Sequence, residues 1–223
     1  MLNLRHRSLA PGLPFVPEWT TTTRLRTRLD AWRRLAAHAI EPNPFYEPEY
    51  LLASADHVTG DEIRCLAIYR DAGRDADLVG LFPLARARLM QGALLPAIEF
   101  YSNPYICSTA PLIDRDAAPE VWHCFFEALR RADDMPKVLL TLQMPSLGGA
   151  FLALEQAMRS EQLNYAVIER FARAAVRRND SEDAYLATMS SGRRKELRRK
   201  LRRLSELGAI EFRIVTDPAE KPA

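Results

Sequence analysis

The chain has 223 residues, 48% hydrophobic and 27% charged, with a formal net charge of +2. That balance suits a chain that folds around a core and excludes a disordered polymer. No run of about 18 apolar residues marks a membrane span, and Pro11, Pro14 and Pro17 leave no apolar stretch behind the charged N-terminus for a secretory signal.

Cys65, Cys107 and Cys124 are odd in number and widely spaced. They indicate neither a disulfide framework nor a zinc site, and the expected setting is a reducing cytoplasm. His38, His57 and His123 stand at no metal-ligand spacing from a carboxylate or another histidine, so no metal is expected.

In chain order, residues 1–22 form an N-terminal segment. Residues 23–41 carry Leu25, Leu29, Trp32, Leu35 and Ala36 at helical spacing; residues 20–23 can cap that helix and Pro42 stops it. Prolines 44 and 48 then hold an extended stretch before a short helix through Leu52. Residues 63–69 and 78–84 read as strands joined by hairpin chemistry at 71–75. Residues 93–101 give a third strand and 109–113 a fourth. Residues 118–131 place Val121, Trp122, Phe125, Phe126 and Leu129 on one side of a helix.

Residues 137–143 read as a strand covered on both faces. A helix follows from the 145–149 turn to about Met158, and 165–176 reads as another strand. Antiparallel strands followed by alternating helices and strands predict a mixed α/β fold, with a mostly antiparallel central sheet flanked by helices. A first domain is expected over 23–178.

The last segment, 181–223, differs in charge. Between Arg193 and Arg203 stand eight basic residues against one acid, Glu196. Leu197, Leu201 and Leu204 stripe a helix over 191–207, Gly208 suits its C-cap, and 210–215 reads as a strand. The basic residues surround a leucine stripe, without interleaved aromatics or a DNA-binding motif, so no specific nucleic-acid binding is expected. The stripe also lacks Trp or Phe anchors for a membrane surface.

Two loops have the composition of a ligand cleft. Residues 100–105 combine three aromatics with an Asn-Pro turn, and 43–50 hold Glu47 and Glu49, carboxylates of the type a general base requires. In each case the alternative is a turn whose rings complete the core. The 143–149 turn has the strand-to-helix order of a phosphate loop but not its glycine spacing, and reads chiefly as an ordinary helix start.

The order Ala31-Trp-Arg-Arg-Leu-Ala, Pro42-Asn-Pro-Phe-Tyr-Glu-Pro-Glu-Tyr50, Leu81-Phe-Pro-Leu84, Asn103-Pro-Tyr105, Pro111-Leu-Ile-Asp114 and the basic run from Ser190 to Lys200 resembles the BioF2-like, cellulose-biosynthesis (CelD-like) acetyltransferases of the GNAT superfamily. The resemblance spans most of residues 24–216. It implies two GNAT-like halves in tandem, the first supporting architecture and substrate binding, the second carrying acetyl-CoA or another acyl-CoA as donor. The basic helix and the strand after it would open the second half, and the chain is expected to be incomplete there. Positions matching the family pattern are Asn43, Phe45, Tyr46, Glu47, Asn103, Tyr105, Arg194 and Arg198, without assigned roles.

The function so implied is acyl transfer to an amine or hydroxyl of a small molecule or an envelope glycan precursor. The competing reading is a non-catalytic binding module formed by the first half. In that case the basic helix serves self-association or docks on a partner.

Overall fold

The computed structural model describes residues 15–212 apart from 61, 74–75, 91–93, 175 and 177. The chain divides into two compact units, Met1–Ala166 and Val167–Ala223. The first unit is mixed α/β.

It opens with β1 (Val16–Thr21), which the sequence did not announce because Pro17 lies inside it. β1 pairs only with β2 (Arg64–Tyr69) and so forms a sheet edge, where a proline's missing N–H costs no ladder bond. The helix expected over 23–41 is broken into α1 (Thr22–Leu25), a 3-10 turn (Arg26–Arg28) and α2 (Leu29–His38). At the break, the Thr27 hydroxyl donates to the Arg24 carbonyl at 2.9 Å and Arg28 leaves the helical region at φ −129°, ψ 30°. α2 also stops before Pro42. Ala39 turns extended and bridges Asp114, and the Ile40 N–H donates to the Ile113 carbonyl at 2.8 Å, so a tertiary pairing ends the helix.

A 3-10 turn (Pro44–Tyr46) and α3 (Pro48–Ser54) follow. β2, β3 (Leu78–Met90) and β4 (Leu94–Phe100) then form an antiparallel meander. Arg74 and Asp75 of the expected hairpin turn lie outside the described residues. β5 (Leu112–Ile113) pairs with β3, and β6 (Leu139–Leu140) joins β4 in parallel, giving the order β1-β2-β3-β4-β6.

Both faces of this sheet are covered. Leu66, Ile68, Phe82, Leu84, Ile98 and Phe100 pack against α4 (Ala118–Arg131) and α5 (Gly149–Ser160). Cys65, Ala67, Tyr69 and Leu81 pack on the other face against Leu25, Trp32, Leu35, Tyr46 and Leu51. Because β2 is buried from both sides, its sequence is a continuous apolar run rather than an alternation. Phe82 anchors the α4 layer, with ring centroids 4.4 Å from Phe125 and 5.2 Å from Trp122. Gly80 lets α4 come this close: a Cβ there would lie 2.7 Å from Val121 Cγ1.

The strand expected over 137–143 forms only at Leu139–Leu140 and is half-buried rather than covered on both faces. It is a sheet edge, and Gln143 turns to φ 52° just beyond it. Lys137 instead reaches back to cap α4, with Nζ donating to the carbonyls of Leu129 (2.6 Å), Arg130 (3.2 Å) and Ala132 (2.8 Å).

In the second unit, α6 (Glu182–Ala187) starts at Ser181, whose hydroxyl accepts from the Ala184 N–H. α7 (Ser191–Leu207) starts at Ser190, which accepts from the Arg193 N–H, and ends at Gly208 with φ 157°. The strand expected over 165–176 is absent among the described residues. Among the described residues of this segment the side chains are largely solvated and no neighbouring strand pairs with them, so β-propensity alone has nothing to bond to. Residues 210–212 are likewise irregular, and 213–215 of that expected strand lie outside the described residues. Among the described residues no helix is long and apolar enough to cross a membrane.

Candidate functional site

The two loops chosen from composition meet in space. Asn43 precedes a proline and is held extended at φ −138°, ψ 94°. Its Oδ1 accepts from the Phe45 N–H at 3.1 Å, while Nδ2 donates to the carbonyls of Ala110 (2.7 Å) and Ser108 (3.2 Å). One side chain therefore fixes the turn before α3 to the loop that follows β4. Tyr46 adds a second tie. It is fully buried, its hydroxyl donates to the Tyr101 carbonyl at 2.7 Å, and its own carbonyl accepts from Trp32 Nε1 at 2.9 Å. Burial holds its phenol well above the ordinary value, with neighbouring Cys65, Tyr101 and Glu99 adding to the effect.

Around these ties lies a polar cluster. Ser54, at the end of α3, is within 3.0 Å of the Tyr101 hydroxyl. Asn103 Nδ2 donates to Ser54 Oγ at 2.8 Å and to the Tyr101 hydroxyl at 3.2 Å, and its Oδ1 accepts from the Tyr105 N–H. Tyr50 stands beside them, its phenol raised first by burial and then by Tyr101, Cys107 and Tyr105. Phe45 packs edge-to-face on Tyr50 at 5.1 Å. Tyr105 is 68% exposed and Cys107 is also exposed, so the cluster opens to solvent at its rim. Cys65 and Cys124 are buried thiols, and burial raises both, Cys124 to about 12.

Of the expected site residues, Asn43, Phe45, Tyr46, Asn103 and Tyr105 thus belong to one neighbourhood. Glu47 caps the start of α3 through its carbonyl, which accepts from the Leu51 N–H. Glu49, the other carboxylate of that loop, is tied to Arg33 at 2.8 Å, and this hydrogen bond holds it below its ordinary range. A carboxylate so depressed is a weak base. Arg194 and Arg198 lie on α7 in the second unit. Ser54 and Tyr101 complete the cluster, and their sequence context gives no sign of it beyond the aromatic content of 100–105.

The 143–149 turn has a different occupant from the one weighed for it. Glu41 accepts from the Ala150 N–H at 3.1 Å, placing a carboxylate at the α5 N-terminus, where a bound anion would sit. The glycine pair makes room: a Cβ on Gly148 would lie 2.1 Å from Glu41 Oε2, and one on Gly149 would lie 2.9 Å from Ile40 Cγ1. Burial raises the Glu41 carboxyl more than this hydrogen bond lowers it.

His38 does acquire carboxylate neighbours, and they come from far along the sequence. The Ala39–Asp114 bridge brings its ring to Asp116 at 2.9 Å, and the ligand atoms of His38, Asp114 and Asp116 all lie within 4.8 Å of one another. One nitrogen and two oxygens at that separation can hold a divalent ion. The same groups are also used within the protein, since Asp114 Oδ1 accepts from the Asp116 N–H and Oδ2 lies 4.0 Å from Arg70.

No family model matches the chain, and no match was found among curated proteins or solved structures.

Proposed function

We propose that the chain is part of an acyl-CoA-dependent acyltransferase of the GNAT type, and that residues 15–166 form its architectural, acceptor-binding half rather than the half that holds acyl-CoA. The Glu41 carboxylate at the N-terminus of α5 carries this reading. Acyl-CoA chemistry of this type needs a helix N-terminus for the pyrophosphate, and a resident carboxylate takes the donor and repels the phosphates. The behaviour of β4 and β6 supports the family assignment. They pair in parallel only at Ile98–Leu139 and Glu99–Leu140 and then part, with Tyr101 bonding back to Pro83 and Thr109 bonding to Gln143. In this reading both halves share the splayed strand pair, and only the other half would use it to reach a thioester carbonyl.

In this reading the acceptor lies against the Ser54–Tyr101–Asn103 cluster. Neutral hydroxyl and amide groups there can orient an amine or hydroxyl without carrying out the transfer themselves. The competing binding-module reading shares the Glu41 observation and differs in expecting no acyl transfer.

Hydrogen exchange measured with acetyl-CoA and, separately, with small amines and amino sugars tests this division. Acceptors should protect residues 43–54 and 100–108, and acetyl-CoA should leave 143–160 unchanged. Protection of 143–160 by acetyl-CoA would reverse the assignment of the half.

A further inference from the structure

The charge of the chain is concentrated on α7. Eight basic residues and two acids, Glu196 and Glu206, give this helix a net charge of +6, whereas the rest of the sequence sums to −4. Helical spacing sorts these groups around the leucine stripe. Arg194 and Arg198 lie on one flank of Leu197, Leu201 and Leu204, Arg193 and Lys200 lie on the other, and Glu206 falls on the opposite face. The ion pairs of α7 use Arg199, Lys200 and Arg202; among the described residues none engages Arg193, Arg194, Lys195, Arg198 or Arg203. The helix buries none of its residues, and its three stripe leucines are 42–60% exposed. Apolar exposure continues through Leu207 and, past Gly208, through Ile210 to Phe212, which is 95% exposed. The stripe has no aromatic of its own, but residues 210–212 form no strand, so no sheet holds the Phe212 ring.

We propose that α7 and the residues just after it lie on the surface of an anionic lipid bilayer. The leucines and Phe212 enter the boundary between headgroups and acyl chains, and the flanking cations stay among the headgroup phosphates and carboxylates. Charge decides between the possible covers. A second copy of α7 would set +6 against +6 across the leucine stripe, which like-charge repulsion opposes. A nucleic acid would neutralise the cations but leave the leucines and Phe212 in water. An acidic protein groove would have to match cations on both flanks while also closing over Leu207, Ile210 and Phe212. A fluid anionic headgroup layer covers all of these groups without a shaped partner. Because the rest of the sequence is acidic in sum, the attraction acts on this helix and not on the chain at large. The proposal stands without the acyltransferase reading.

The test is flotation of the full chain with vesicles of phosphatidylcholine alone and of phosphatidylcholine containing about one-third phosphatidylserine, followed by hydrogen exchange on the bound protein. The chain should float with the mixed vesicles and not with the neutral ones, and salt should release it. Exchange should slow over 191–207 and stay unchanged over 118–131. Arg194→Gln with Arg198→Gln should weaken partitioning about thirtyfold. Leu201→Gln with Phe212→Ser keeps every cation and should weaken it about tenfold or more. These four side chains lie outside the buried core, so neither variant threatens the fold of the first unit. Equal flotation with neutral vesicles would overturn the proposal. No flotation with the mixed ones would also overturn it and leave an acidic protein as the partner. Wild-type partitioning of the Leu201/Phe212 variant, matched by undiminished binding of that variant to an RNA homopolymer, would overturn it in favour of a general polyanion site. Slowed exchange over 191–207 that follows chain concentration without lipid would overturn it in favour of a second copy.

Discussion

Asn43 is 1% exposed and spends its whole amide on backbone groups of two loops. Such a residue positions a site rather than acting in it, because it is buried, both of its N–H donors are used and its Oδ1 already accepts from the Phe45 N–H. Asn43→Ala would leave the Phe45 N–H and the Ala110 carbonyl without their partner, and each unsatisfied buried group costs about 1–3 kcal/mol. The expected loss is about 3 kcal/mol in urea unfolding, with Tyr46→Phe, which removes one bond, costing about 1 kcal/mol. Equal costs for the two would argue against Asn43 as the main tie. Glu41 acts at the same scale. Its carboxylate, Gly148 and Gly149 form one arrangement in which side chain and glycines fit only together.

Among the elements, α4 joins most of the first unit. Its apolar side meets the sheet through Phe82 and Gly80, its outer side reaches α5 through His123 and Arg130 on Glu161, and its C-terminus is closed by Lys137. Three carbonyls at a helix C-terminus, all facing one ammonium, combine hydrogen bonds with a favourable dipole. Lys137→Met keeps the stem but removes the charge and should cost about 1–2 kcal/mol by thermal or urea unfolding. An unchanged midpoint would mean that solvent caps α4 equally well. α7 presents the opposite case. Its leucines 197, 201 and 204 are exposed, and basic residues at i, i+4 such as Arg194, Arg198 and Arg202 repel one another. Its ion pairs with Glu196 and Glu206 offset this only in part.

For the whole molecule, pH acts through carboxylates shifted in opposite directions. Hydrogen bonding to His123 and then to Arg130 holds Glu161 below its ordinary 4.5, so its contribution is present above that value and fades as pH falls through the lowered folded value. Burial raises Glu99 above 4.5, so its contribution is full below 4.5 and is lost as pH rises through the raised folded value. Glu99→Gln should therefore raise the thermal midpoint at neutral pH, with the gain disappearing below about pH 4.5. A constant gain at all pH values would trace it to packing instead of charge. Among the described residues, the buried ones lie between Phe15 and Ala157, within the first unit.

The amino-acid pattern by itself determined the elements whose signals are local. The Val121–Trp122–Phe125–Phe126–Leu129 stripe marked α4, expected and observed over 118–131, and the leucine spacing with Gly208 did the same for α7. It also determined the class of fold, because alternating apolar runs and helical stripes are readable within windows of a dozen residues. The loops at 43–50 and 100–105 were legible as candidates through their prolines and aromatics. Their meeting was not, since the Tyr46–Tyr101 and Asn43–Ala110 bonds join residues 55 and 67 positions apart. Only the tertiary structure decided where α2 stops, that residues 16–21 pair as a strand, and that 165–176 do not. It also decided that Glu41 occupies the α5 N-terminus, that His38 faces two aspartates, and that Arg28 lies over the Tyr69 ring. Each of these depends on a partner supplied from elsewhere in the chain, and pairing free energy, unlike helix or turn propensity, is absent from the sequence window that encodes either side.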